Sequence, residues 1–169
     1  GFFRINILTQ YMSDSLNRHI SRGWGLSYQV DQYIEVVPAQ QRTGKHWYLG
    51  SADAVFQNLN LISDVEPRDV AVFGSDHIYK MDVSQMLSFH REHAAALTIA
   101  AIPVPIEQAH QFGVLVVDED WRVVAFEEKP ENPTPMPSDP TRALVSMGNY
   151  IFRSGDLVEE ITFDAKDPS

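Results

Sequence analysis

The stretch VAVFGSDHIYKMD, residues Val70 to Asp82, decides how the rest of the chain is read. Val70 to Phe73 is a run of four apolar residues, the length and character of a buried strand. Gly74 and Ser75 then carry almost no side chain, and Asp76 and His77 follow as ionisable groups. A helical pattern resumes at once: Asp82 and Gln85 are spaced as a capping box, with Val83, Met86 and Leu87 continuing the helix. In an open α/β sheet, ligands bind outside the carboxyl ends of the strands. Asp76 is therefore the first charge delivered to that edge.

The same alternation extends in both directions. Ile5 to Leu8 reads as a strand, followed by a helix capped by Ser13, carrying Leu16, His19 and Ile20 on one face and stopped by Gly23. Ile34 to Pro38 is a second strand. Gly50 to Ser63 predicts one long helix capped by Ser51, with Ala52, Val55, Phe56, Leu59 and Ile62 as its apolar stripe. After Val70 to Phe73 come a strand over Leu97 to Pro103 and a hairpin around Asp118-Glu119-Asp120. Pro130 to Pro140 holds five of the ten prolines, which predicts a loop ordered against something, and LVSMGNYIF is a last strand. From Gly155 a helix begins. The class this predicts is α/β: a Rossmann-like, mostly parallel sheet with helices on both faces, plus a β-hairpin.

Bulk composition narrows the function. The chain has 169 residues, enough for one core, with 44% hydrophobic residues and a net charge of −10. So acidic a chain predicts no nucleic-acid partner and no anionic membrane, since both require clustered Lys and Arg. No apolar run approaches the ~20 residues of a membrane span. The absence of cysteine excludes disulfides and thiolate ligands and fits a cytoplasmic setting. Gly1 is followed almost directly by strand-like sequence with no initiator Met, so the chain is expected to be a piece of something longer.

Asp76 suits a hard cation such as Mg²⁺, which often takes one or two protein carboxylates and completes its shell with water and phosphate. The plainer alternative is a turn aspartate bonding its own backbone. For His77 a packed or hydrogen-bonded imidazole is the better reading.

GSDHIYKMD, together with PAQQR, WYLGSADAV, FGVLVVD, FEEKP and SMGNYIF, resembles the bacterial glucose-1-phosphate adenylyltransferase (ADP-glucose pyrophosphorylase) family, in order and approximate spacing along essentially all 169 residues. That resemblance implies a nucleotide-diphospho-sugar transferase fold and the reaction ATP + glucose 1-phosphate ⇌ ADP-glucose + pyrophosphate, feeding glycogen or starch synthesis. The sugar phosphate attacks the α-phosphorus in line, so positioning and charge neutralisation carry the catalysis. Asp76 then matches a Mg²⁺ ligand and Lys129 the lysine that binds the sugar phosphate. Glu128 matches an acceptor for sugar hydroxyls, although Glu127-Glu128-Lys129 alone would read as a solvated charge run. Tyr48 resembles a sugar-nucleotide contact, Gly113 a glycine whose backbone lies against the sugar, and Ser146 a small polar neighbour of the glucose. Gln40 and Gln41 suit recognition of a base edge, against ordinary loop polarity. Gly50, Ser51 and Asp53 place a helix amino terminus at the nucleotide. Gln10 and Trp47 match positions linked to allosteric communication.

The resemblance is incomplete. The family's glycine-rich phosphate loop is absent, its second metal-binding aspartate would lie beyond Ser169, and so would its carboxyl-terminal β-helix domain. Ser75 stands where a smaller residue is usual, and the connection from Arg42 to Trp47 is about one residue short. Residues 1–169 are thus expected to be a partial catalytic domain, truncated at both ends, that alone turns over poorly or not at all. A homotetramer is implied for the full-length parent. Two alternatives stay open: another sugar-1-phosphate nucleotidyltransferase using UTP, GTP or dTTP, and a non-catalytic sugar-phosphate-binding homologue.

Overall fold

The computed structural model describes residues 4–24, 31–40, 47–76 and 78–166. The chain divides into two compact units, Gly1–Pro67 with Leu157–Ser169, and Arg68–Asp156. Among the described residues, no helix is long and apolar enough to cross a membrane.

The first unit contains β1 (Arg4–Thr9), α1 (Asp14–Gly23), β2 (Tyr33–Pro38), α2 (Ser51–Phe56) and α3 (Leu59–Ser63). β1 and β2 pair in parallel from Arg4 opposite Tyr33 to Thr9 opposite Pro38. Ser13 caps α1 by position, through its carbonyl, which accepts from Asn17 N at 2.8 Å. The long helix expected over Gly50 to Ser63 is two short ones, and Gly50 rather than Ser51 is the N-cap. The physical cause lies at Gln57 and Asn58, which are only 7% and 5% exposed. Buried amides need partners. Gln57 Nε2 donates to Asp53 Oδ2 at 2.9 Å, and Asn58 Nδ2 to Tyr48 OH at 2.9 Å and Ala54 O at 2.8 Å.

The second unit is a five-stranded sheet built on β7 (Arg142–Arg153), with β3 (Asp69–Phe73), β4 (Leu97–Pro105), β5 (Gly113–Val117) and β6 (Val123–Glu128). α4 (Val83–Glu92) joins β3 to β4, a 3₁₀ turn over Ile106–Gln111 joins β4 to β5, and α5 (Ser154–Asp164) runs across the division between the units. Asp82 caps α4 through its side chain, accepting from Ser84 N at 2.9 Å.

The α/β class stands, but the direction of pairing departs from the mostly parallel sheet expected. Among the described residues only β1–β2 is parallel; β3, β4 and β5 are all antiparallel to β7, and β6 to β5. The reason is topological. β3 and β4 do run parallel to each other, as a helical crossover requires. They are not neighbours, because β7 returns through the space between them in the opposite sense.

β4 occupies one edge of β7 along its length, while β3 takes residues 149–153 and β5 residues 144–145 of the other edge. One side of this sheet buries Ala109, Val114, Ala143 and Val145 under Val104 and Ile106. α4 lies on that side too, since His90 Nδ1 meets Thr98 Oγ1 at 2.8 Å, and Thr98 pairs with buried Ile151. The other side buries Leu115, Val117 and Leu144 against Ile99, Ala101 and Met136. Met136 comes from the proline-rich loop, which is ordered as expected: Thr134 N and Oγ1 donate to the Glu127 carboxylate at 3.1 and 2.6 Å.

Candidate active site

The site assembles around an irregularity in β7. Ile99 faces Tyr150 and Ala101 faces Ser146, so residues 147–149 stand opposite the single residue Ala100. This bulge centres on Gly148, whose φ of +68° is one that glycine adopts without a Cβ penalty. Ser146 Oγ accepts from Gly148 N at 3.2 Å and holds the bulge.

β3 and β5 approach this point end to end on one edge of β7. Phe73 pairs with Asn149, and Gly113, one register step beyond the Val114–Val145 pair, comes alongside Ser146. The bulge shortens the gap between the carboxyl end of β3 and the amino end of β5: Ser146 to Tyr150 spans only the two β4 steps from Ile99 to Ala101, ~7 Å at ~3.3 Å each. β6 ends at the same level, because Glu128 pairs with Gly113. The ends that carry Asp76 and Lys129 thus converge.

The pleat decides which side chains share this place. Opposed residues project to one face, and so do alternate residues along a strand. Ser146 and Tyr150 share a face, with their hydroxyls 3.4 Å apart. By register, Gly113, Leu115, Phe126 and Glu128 lie on that same face. Ser146, Gly113 and Glu128 form one row across β7, β5 and β6.

Lys129 would ordinarily point to the opposite side from Glu128. Its φ of +44° breaks the alternation, and Nζ lies 3.4 Å from Glu128 Oε1, with the two side chains 66% and 63% exposed. A non-glycine residue held in this region is strained, a condition that concentrates at functional sites. Its amide donates to Phe112 O at 3.1 Å, which fixes the turn before Pro130.

Asp76 reaches the same face. Val72 pairs with Tyr150, and continuing the alternation puts Gly74 on that side, where its N donates to Gly148 O at 3.3 Å. A Cβ at Gly74 would stand 3.1 Å from Asp76 Oδ1, so the carboxylate folds back close to the glycine. Among the described residues no three His, Asp or Glu side chains gather to hold a metal. A cation that takes a single carboxylate and fills its shell with water and phosphate does fit this exposed acid in its glycine cradle.

Gly113 is a glycine for a reason the sequence did not disclose. A Cβ there would meet Phe126 Cζ at 2.4 Å and Cε2 at 2.9 Å, so the ring lies directly over the glycine. Phe126 and Gly148 were both missed in reading the sequence. A glycine inside an otherwise strand-like SMGNYIF is a bulge signal, and Phe126 stands two residues before Glu128, on its face.

The remaining expected residues belong to the first unit. Gln10 Oε1 accepts from Tyr48 N at 3.0 Å, tying the end of β1 to the residue after Trp47, whose side chain is half exposed. Tyr48's hydroxyl accepts from Asn58, so the tip assigned to a ligand has an internal partner. Asp53 is likewise engaged: Oδ2 accepts from Leu49 N and from Gln57 Nε2, both at 2.9 Å. That carboxylate braces the turn into α2. Gly50 and Ser51 start a helix of six residues, short for a substantial dipole. Gln40 donates to Pro38 O at 3.0 Å. Gln41, His77 and the connection over residues 42–46 lie outside the described residues. A depression of about 310 Å³ lined by Ile106, Glu107, His110, Glu131, Asn132 and Pro133 contains none of the expected residues.

A strand-end acid, a lysine at positive φ and a row of small and polar groups thus come together at one edge of the sheet, and the nucleotidyl transferase family model matches residues 1–169. The chain belongs to that family. More particularly, it is 55% identical over 168 residues to the glucose-1-phosphate adenylyltransferase of Anaeromyxobacter sp. (strain Fw109-5), an alignment covering 99% of this chain and 41% of that protein. It is 54% identical over 163 residues to glucose-1-phosphate adenylyltransferase 1 of Vibrio cholerae serotype O1, covering 96% and 40%. The chain spans about two-fifths of the length of the curated relatives it matches.

Proposed function

We propose that the protein containing this chain transfers the adenylyl group of ATP to glucose 1-phosphate, releasing pyrophosphate and forming ADP-glucose, and that residues 1–169 supply the sugar-phosphate side of its site. The names of the relatives support the reaction; the observation that carries the assignment to residues is the row Ser146, Gly113, Glu128 with Lys129 turned onto its face.

In this reading Lys129 neutralises the phosphate of the incoming sugar, and Glu128 and Ser146 hydrogen-bond its hydroxyls from the two ends of the row. The sugar phosphate is already an anion near neutral pH, so these groups hold and orient it and need not remove a proton. Asp76 would hold Mg²⁺, which when bound offsets charge on the triphosphate. Gln10 and Trp47 relay regulation through the Tyr48 segment, and the amides of Gln40 and Gln41 recognise the base. The parent protein is a cytoplasmic homotetramer, and the isolated 169-residue chain turns over weakly or not at all.

The test is turnover by the full-length parent with glucose 1-phosphate and each of ATP, UTP, GTP and dTTP. ATP should be preferred. Lys129→Ala should raise KM for the sugar phosphate about 10- to 100-fold, as expected for losing the ~1.5–3 kcal/mol of a hydrogen bond to a charged group. Stability should change by less than about 1 kcal/mol, because the Lys129–Glu128 pair is exposed. Preference for another triphosphate, or an unchanged sugar-phosphate KM in the variant, would refute the reading.

A further inference from the structure

We infer that Phe126 is the platform on which the ring of the sugar phosphate rests, and so a specificity-determining residue of the site; this rests on the adenylyltransferase reading above. The ring covers Gly113, the middle member of the row, close enough that a Cβ there would be 2.4 Å from Cζ. It is nevertheless 52% exposed, on the face shared with Ser146 and Glu128. A half-exposed aromatic ring is thus framed by a hydroxyl two strands away on one side and a carboxylate at the next same-face position of its own strand.

That layout matches the surface of a hexopyranose, which has C–H groups on its faces and hydroxyls around its rim. Ser146 and Glu128 stand two strand spacings apart, ~10 Å between backbones, the span of one hydroxylated six-membered ring with a hydrogen bond at either end. Sites for small molecules are built this way, with an apolar or aromatic surface for contact and a few polar groups for orientation. Neither polar group explains the exposed ring. A substrate face laid on it does, and it buries the half of Phe126 that packing on Gly113 leaves open.

The competing possibility is that Phe126 only covers the glycine, as aromatic residues do across hairpins. Steady-state kinetics of the full-length protein and of Phe126→Ala, Phe126→Leu and Phe126→Tyr, with unfolding midpoints for each, separate the two. Phe126→Ala should raise KM for glucose 1-phosphate roughly 5- to 10-fold, with KM for ATP within twofold. Phe126→Leu, which still covers the glycine but has no flat face, should keep the unfolding midpoint and lose the affinity. Phe126→Tyr should restore it. Sugar-phosphate KM unchanged in Phe126→Ala, or Phe126→Leu equal to wild type, would overturn the inference while leaving the adenylyltransferase reading standing. A wild-type protein that turns over no sugar 1-phosphate would remove both.

Discussion

Replacing Gly113 by alanine tests the central packing feature of this site. The new Cβ would lie 2.4 Å from Phe126 Cζ, more than 1 Å inside the ~3.5 Å at which carbon atoms attract. Backbone on both sides is held by pairing to β6 and β7, so the ring has to leave. Phe126 is 52% exposed; about half of the 150–250 Å² a phenylalanine buries is at stake, roughly 100 Å² or ~2.5 kcal/mol at 25 cal/mol per Å². Removing a glycine from a strand returns about 0.5–1 kcal/mol. The net expectation is a destabilisation of ~1.5–2 kcal/mol. In a Phe126→Ala background the clash has gone, and Gly113→Ala should be neutral or stabilising by ~0.5 kcal/mol. Urea unfolding of the full-length protein for wild type, both single variants and the double variant gives the coupling energy directly. If Gly113→Ala costs the same with and without the ring, the glycine is not there for Phe126, and their contact does not organise the site.

Asp53→Ala should destabilise the protein by about 2 kcal/mol, because Leu49 N–H and the buried Gln57 amide lose a charged acceptor; KM for ATP should stay within twofold, and a selective rise in that KM at unchanged stability would make Asp53 a nucleotide contact instead. His90 carries a pH dependence. It is 2% exposed, and burial pushes its imidazole below the ordinary 6.5, against the opposing pull of Asp69, with Arg153, Arg68 and Arg91 lowering it further. The neutral ring, bonded to Thr98, is the folded form. Its contribution is therefore complete above pH 6.5 and is lost as pH falls below that value toward the depressed folded pKa. Urea midpoints at pH 7.5 and 5.5 should show a drop that His90→Gln reduces; an equal drop in the variant would count against it.

Much of the fold could be read from local pattern because strands and caps are local statements. The apolar runs at Ile5, Ile34, Val70 and Leu97 each became a strand, the acidic turn at Asp118 closes a hairpin, and Asp82 caps α4 as its position implies. The long helix over Gly50 to Ser63 is broken at Asn58, whose N donates to Val55 O three residues back. Its apolar stripe was correctly spaced, but buried Asn58 reaches back to the Tyr48 hydroxyl and interrupts it. Resemblance assigns Tyr48 and Asp53 to ligand contact, and the fold shows that their side-chain oxygens also hold partners within their own unit.

Taken alone, the sequence determined the alternation of strands and helices, the acid at the end of β3, the lysine at the end of β6 and the glycines beside them. These depend on side-chain chemistry and short-range periodicity, which a chain carries before it folds. Tertiary structure decided that β7 runs between β3 and β4 and reverses the sheet's sense, that its bulge at Gly148 leaves a gap where β3 and β5 meet end to end, and that Ser146, Gly113, Phe126 and Glu128 share one face. Register across strands distant in sequence is set by the packing of the whole sheet, since a slip of one residue would send every one of these side chains to the other side.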